Sequence, residues 1–180
     1  DEYVGLDPSH PAGFRNFLRR AIFDHKPFKS VHLLNGNAED PWAEADRYHT
    51  LLAEHPLDVC ILGIGENGHI AFNDPPVADF NDKKFVKVVE LDQVCRMQQV
   101  HDGCFASIDQ VPTHALSATI PGLCAAKYMF CSVPASTKAL AVKHTVEDAV
   151  STACPATILK EQLHACLYTD KDAGQYLLDK

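Results

Sequence analysis

No apolar run in these 180 residues is long enough to cross a bilayer, and the chain does not open on the basic segment and apolar stretch of a secretory leader. A soluble, cytoplasmic protein with no membrane partner is expected. Excess positive charge is missing too. Lys and Arg number 16 against 24 Asp and Glu, a net charge of −8, which argues against a nucleic-acid surface because phosphate backbones need clustered cations. The seven cysteines (Cys60, Cys95, Cys104, Cys124, Cys131, Cys154 and Cys166) never form a Cys-x-x-Cys pair, and none of the ten histidines belongs to a His-Glu-x-x-His or comparable spacing. That pattern favours buried, reduced thiols over a disulfide frame or zinc site, and no catalytic metal is expected. Repeats and low-complexity tracts are also absent. With 46% hydrophobic residues the chain fits one domain with a substantial core, residues 1–180.

The most informative feature is the run Ile64-Gly65-Glu66-Asn67-Gly68-His69-Ile70-Ala71-Phe72-Asn73-Asp74-Pro75, which follows the apolar stretch Val59-Cys60-Ile61-Leu62. A buried strand ending in alternating glycines delivers a tight loop at its C-terminal edge, where open α/β sheets bind ligands. The loop carries His69, the residue type suited to acid/base work, and a carboxylate five residues on, Asp74, able to orient it. Acid/base chemistry is the reading this invites. Gly63, Gly65 and Gly68 spell the letters of a dinucleotide fingerprint, but Asn73-Asp74-Pro75-Pro76 breaks the chain where its helix should run. A nucleotide cofactor is therefore set aside.

Elsewhere the pattern predicts an amphipathic helix over 11–25, a strand over 31–34, and a helix over 41–55 with Asp40 as N-cap and Pro41 at its first position. Strands are predicted over 58–62, 85–91, 114–120, 128–133 and 165–168. Helices are predicted over 92–105 and, capped by Ser136, over 137–147. Tyr3 and Phe72 read as core aromatics. Strands alternating with helices indicate an α/β, doubly wound fold, a largely parallel sheet with helices on both faces in a Rossmann-like three-layer sandwich. The apolar opening Asp1-Glu2-Tyr3-Val4-Gly5-Leu6 reads as the continuation of a larger protein.

Several segments carry a family resemblance: residues 1–6, Leu33-Leu34-Asn35-Gly36-Asn37, the loop from Gly63 to Pro75, Val111-Pro112-Thr113-His114-Ala115-Leu116, Ser136-Thr137-Lys138-Ala139 and Cys154-Pro155-Ala156. In this order and at these spacings the chain resembles the glucosamine-6-phosphate deaminase family over essentially its whole length. The resemblance implies that residues 1–180 are the C-terminal two-thirds of the family fold, a strand and a phosphate loop preceding Asp1 in other members. It implies conversion of glucosamine 6-phosphate to fructose 6-phosphate and ammonia, with no cofactor and a small sugar phosphate as partner. Homo-oligomers occur in the family. Hexameric members bind an amino-sugar activator, but Val77 and Val86 stand near the basic and hydroxyl positions that control uses.

By the same resemblance His69 is the base that opens the pyranose ring and Asp74 supports it. Many members carry glutamate at this second position. Asp1 is the base that moves the C2 proton to C1. Asn67, which cannot ionise, orients its neighbours. Gly65 and Gly68 line the substrate loop, and Lys138 binds the phosphate. A phosphate-binding arginine is expected in the helix after the strand over 85–91, where Arg96 is the only arginine although Gln98 and Gln99 fall closer to the family position. Two other functions are weighed. A 6-phosphogluconolactonase would follow the loop histidine with Ala-Ser-Leu-Phe-Pro, unlike Ile70-Ala71-Phe72-Asn73-Asp74-Pro75. A sugar-phosphate sensor domain would not need the retained His69 and Asp1.

Overall fold

The computed structural model describes residues 1–177. Strand β1 (Glu2–Tyr3) leads to helix α1 (Phe14–Ala21), a 3-10 turn (Phe23–His25) and helix α2 (Pro41–Glu54). Strands β2 (Val59–Leu62) and β3 (Val86–Glu90) flank the glycine loop, and helix α3 (Gln93–His101) follows. The order continues through β4 (His114–Ala118), α4 (Ile120–Cys124), β5 (Tyr128–Val133), α5 (Ala139–Glu147) and β6 (Ala165–Thr169). No helix among the described residues is long and apolar enough to cross a membrane.

The architecture is α/β. Strands β2, β5 and β6 form a parallel sheet in that order, with Val59 opposite Tyr128 and Phe130 opposite Cys166. A second sheet, β1-β4-β3, is antiparallel, with Tyr3 opposite Ala115 and Val88 opposite Leu116. Along β5 the two-residue period buries Met129, Cys131 and Val133 and turns Tyr128 and Phe130 outward. Ile61 of β2 lies on that outward side and is 78% exposed.

Local chemistry sets the helix ends. The Asp40 carboxylate accepts from Trp42 N at 2.9 Å and Ala43 N at 3.2 Å, the expected cap of α2. Helix α1 starts later than its sequence pattern because the carboxylate of Glu2 accepts from Phe14 N and Arg15 N and fixes the first turn there. Three other expectations need correction. Residues 31–34 join no strand: the His32 carbonyl accepts from Tyr48 Oη at 2.8 Å and Asn35 N donates to Glu44 Oε1 at 2.8 Å, so this segment leans on α2 instead of a ladder. Ser136 makes no capping bond, since a 3-10 turn (Ser136–Lys138) precedes α5 and Lys138 takes the N-cap position. Ile120–Cys124 is a helix with a cap of its own, Thr119 Oγ1 accepting from Gly122 N at 3.1 Å, so the strand expected over 114–120 stops at Ala118.

What positions the glycine loop is the alternation beyond His69. Ile70 is fully buried in the core under the parallel sheet with Ile64, Met129 and Val142. Phe72, 2% exposed, enters the other core, where its ring lies 5.4 Å from Tyr3, with Val89 and Phe105 nearby. Two such burials are worth roughly 1.5–3 kcal/mol each. They hold the loop between the sheets like a peg with a foot in each core. Tyr3 and Phe72 are core aromatics, as their sequence context indicates.

Candidate active site

The turn is built by two backbone bonds: Gly68 N donates to Gly65 O at 3.0 Å and Gly65 N to His69 O at 2.9 Å. Gly68 has φ +81°, a conformation that penalises any side chain, and a Cβ there would sit 2.6 Å from Cys154 Sγ. Gly65 is required for a different reason. A Cβ on it would lie 2.1 Å from His69 Cε1 and 2.2 Å from Nε2, so the imidazole lies directly against the bare Cα. Both glycines therefore shape the loop around the histidine.

His69, 8% exposed, sets Nδ1 2.8 Å from Oδ1 of the fully buried Asp74. The contact is short but bent off the line of a hydrogen bond, leaving Nδ1 without an aligned partner. Asp74 is anchored on both oxygens: Oδ1 accepts from Asn67 Nδ2 at 3.0 Å and Oδ2 from the Asp92 backbone N–H at 3.1 Å. Burial opposes its ionisation, but the His69 ring, the Asn67 amide and the Asp92 N–H outweigh it and hold the carboxyl below the usual range. An aspartate thus reaches the histidine without the longer side chain of glutamate. Asn67 uses both ends of its amide, its oxygen accepting from His69 N at 3.1 Å. A carboxylate in its place would face Asp74 with like charge, so the neutral amide suits the orienting role.

Two residues that sequence reasoning passed over hold the loop from β4. Asn73, fully buried, donates to the carbonyls of Ile70 and Ala118, both at 2.8 Å, and Ser117 Oγ accepts from Phe72 N at 2.9 Å. Helix α3 adds a third support. Gln98 Oε1 accepts from Glu66 N at 3.0 Å while its amide donates to Asp102 at 3.3 Å. An uncharged clamp on the glycine loop therefore occupies the place where an arginine was expected.

Arg96 lines the cavity that Asp74 borders. Its guanidinium donates to the carbonyls of Ile108 at 2.7 Å and Val111 at 2.9 Å, which ties α3 to the segment before β4. Burial lowers the Lys138 ammonium below the ordinary lysine range, against the opposing pull of Asp102, Glu66 and Cys95. Cys95 lies beside Asp74, its thiol within 4.8 Å of a carboxylate oxygen, and feels the charge of Lys138. Burial first and the Asp74 carboxylate second push this thiol far up, so it is protonated at neutral pH. Asp1 is exposed, just ahead of β1. No hydrogen bond or ion pair joins it to His69, Asp74 or Lys138 among the described residues. Of the seven cysteines, Cys60, Cys95 and Cys131 are buried as expected, whereas Cys104 and Cys166 are exposed.

Cavities adjoin the loop. One of about 240 Å³ is bounded by Glu66, Asn67, Gly68, His144 and Cys154. Another, of about 530 Å³, is lined by Asp74, Val77, Asp92 and Arg96.

Together these features define an α/β protein with a histidine–carboxylate pair on a strand-borne glycine loop and a half-buried lysine beside it. A family model described as glucosamine-6-phosphate isomerases/6-phosphogluconolactonase matches residues 5–167, and the chain belongs to that family. A glucosamine-6-phosphate deaminase of Lactobacillus delbrueckii subsp. bulgaricus is 37% identical over 177 residues, 98% of this chain and 74% of the relative. One from Bacillus thuringiensis is 39% identical over 173 residues, 96% of this chain and 64% of its own length. The chain thus spans between about two-thirds and three-quarters of these curated relatives. Among solved structures, a monomeric glucosamine-6-phosphate deaminase superposes with a TM-score of 0.87 at 32% identity, covering 97% of this chain and 71% of that one. A 6-phosphogluconolactonase from Trypanosoma brucei reaches 0.67 at 18% identity, covering 92% and 68%, which is a likeness of fold.

Proposed function

We propose that this chain carries the acid/base centre of a glucosamine-6-phosphate deaminase, which converts glucosamine 6-phosphate and water to fructose 6-phosphate and ammonia. The observation that carries the reading is the contact of His69 Nδ1 with buried Asp74 at 2.8 Å. With Nδ1 bearing the proton toward the carboxylate, Nε2 keeps the lone pair. That nitrogen takes the proton of the sugar's anomeric hydroxyl and gives one to the ring oxygen, which opens the pyranose. Asp74 stabilises the imidazolium formed between those steps, and Asn67 keeps both groups in register.

In the open chain, Asp1 takes the C2 proton and returns it at C1. The resulting imine at C2 adds water and expels ammonia, so no external oxidant or reductant is needed. Lys138 is the cation for the 6-phosphate, with Gly65 and Gly68 shaping the loop against which the sugar lies. The setting is N-acetylglucosamine and amino-sugar catabolism in the cytoplasm. The 37% and 39% identities to deaminases support this substrate over a lactone.

The test is to incubate the full-length protein separately with glucosamine 6-phosphate and 6-phosphogluconolactone, following ammonia release and lactone hydrolysis. Ammonia release with slow lactone turnover is expected. Lactone hydrolysis without ammonia, or binding of the amino sugar without turnover, would overturn the reading.

A further inference from the structure

Cys95 has no part in that chemistry, yet it stands against its centre. A ring nitrogen of His69, a carboxylate oxygen of Asp74 and the Cys95 thiol all lie within 4.8 Å of one another, and all three residues are buried. They come from two elements: His69 and Asp74 from one loop, Cys95 from helix α3. A nitrogen, an oxygen and a sulfur donor form the ligand set of a borderline-soft divalent ion, not of magnesium or calcium, which take oxygen. Tetrahedral zinc separates such ligand atoms by about 3.3–3.6 Å, given its bond lengths. Ligand atoms up to 4.8 Å apart must therefore close by at most about 1.5 Å.

We propose that His69, Asp74 and Cys95 form an inhibitory site for zinc or a similar ion, with solvent as fourth ligand. Three further observations favour it. His69 Nδ1 is buried without an aligned hydrogen bond, so moving its proton to Nε2 frees a lone pair there for an ion. Asn67 and the Asp92 N–H already hold the carboxylate, as supporting contacts of metal ligands do. Asp74 also lines the cavity of about 530 Å³, which gives the ion a route in.

Charge favours the bound state as well. A dication held by a carboxylate, a thiolate and a neutral imidazole is net zero, whereas the metal-free cluster buries one negative charge. On binding, the Cys95 proton leaves to bulk solvent. With Nδ1 taken by the ion, the remaining imidazole proton sits on Nε2, the nitrogen that must accept the sugar's proton, and Asp74 is withdrawn from the ring. Loss of activity therefore rests on the deaminase reading; binding of the ion does not.

Titration of the full-length protein with Co²⁺ under reducing, chelator-free conditions tests this. One equivalent should produce a thiolate-to-cobalt charge-transfer band with tetrahedral d–d absorption, and Zn²⁺ should displace it. Cys95→Ser should lose the charge-transfer band, while Cys104→Ser, which removes an exposed thiol, should keep it; circular dichroism checks that both fold. Zinc, but not Mg²⁺, should suppress ammonia release, and EDTA should restore it. Relative to its own zinc-free rate, Cys95→Ser should need about tenfold more zinc or more for half-inhibition. Equal zinc sensitivity in Cys95→Ser and parent, or a cobalt spectrum without thiolate character, overturns the site even if ammonia is released. A cobalt band in a protein that releases no ammonia would instead sustain the site and sink the deaminase reading.

Discussion

Gly65→Ala isolates the packing of the His69 ring. Gly65 is not among the residues with positive φ, so its backbone accepts alanine, and the whole effect comes from the new methyl group. That methyl would sit 2.1, 2.2 and 2.4 Å from His69 Cε1, Nε2 and Nδ1, where ordinary contact begins near 3.4 Å. The imidazole must retreat by roughly 1.3 Å, which stretches or breaks its 2.8 Å contact with Asp74. A side-chain end is what moves, so overpacking should cost about 1–3 kcal/mol, a fall of roughly 2–4 °C in Tm for each kcal/mol. Catalysis is far less forgiving. A misplacement of about 1 Å costs on the order of 100-fold, so kcat for ammonia release should fall by about that factor or more while KM changes little. The assay pairs initial rates, coupled to ammonia detection, with a thermal melt of the same preparation. A variant with kcat within about threefold of the parent and an unaltered melt would refute the ring's placement.

Three other substitutions bear on separate parts of the site. Asp74→Asn should lower kcat by about 10²–10⁴-fold, because an amide cannot stabilise the imidazolium; steady-state kinetics at neutral pH is the check. The folded pKa of Asp74 is depressed, so its stabilisation is fully present above the unfolded value near 3.8 and disappears as pH falls through the lower folded value. Between about pH 5 and pH 3 the parent should therefore lose more Tm than Asp74→Asn, and parallel curves would contradict the assignment. Lys138→Met should raise KM for glucosamine 6-phosphate about tenfold or more with kcat nearly intact. In the parent, the alkaline rise in KM should begin below the ordinary lysine range, since burial lowers Lys138; saturation curves across pH decide both points. Arg96→Ala should destabilise the fold by about 2–4 kcal/mol through two unsatisfied carbonyls, read by denaturant unfolding, and leave KM unchanged. A KM effect comparable to that of Lys138→Met would return Arg96 to the phosphate.

The loop was legible in the sequence because its parts are contiguous. Apolar 59–62, the glycines, His69 and Asp74 lie within sixteen residues, and local patterning reports local structure. The Asp40 cap was legible for the same reason. The direction of strand pairing was less so: apolar residues alternating along 86–90 and 114–118 read alike in either direction, and only the fold puts them in an antiparallel sheet with β1. Residues 31–34 looked like a strand from their side chains, but their polar backbone found partners on α2. Roles created by packing across the chain left no local mark. Gln98 clamps Glu66 from 32 residues away, and Cys95 meets Asp74 only because α3 folds against the loop. Charge alone did not reveal that the Arg96 guanidinium donates to two backbone carbonyls.

Ammonia release by full-length His69→Ala, measured against the parent across a range of glucosamine 6-phosphate concentrations, probes the ring-opening role most directly. A fall in kcat of about 10²–10⁴-fold with KM within a few-fold is the expected result. An intact kcat, or a loss confined to KM, would show that this imidazole holds the sugar without opening it.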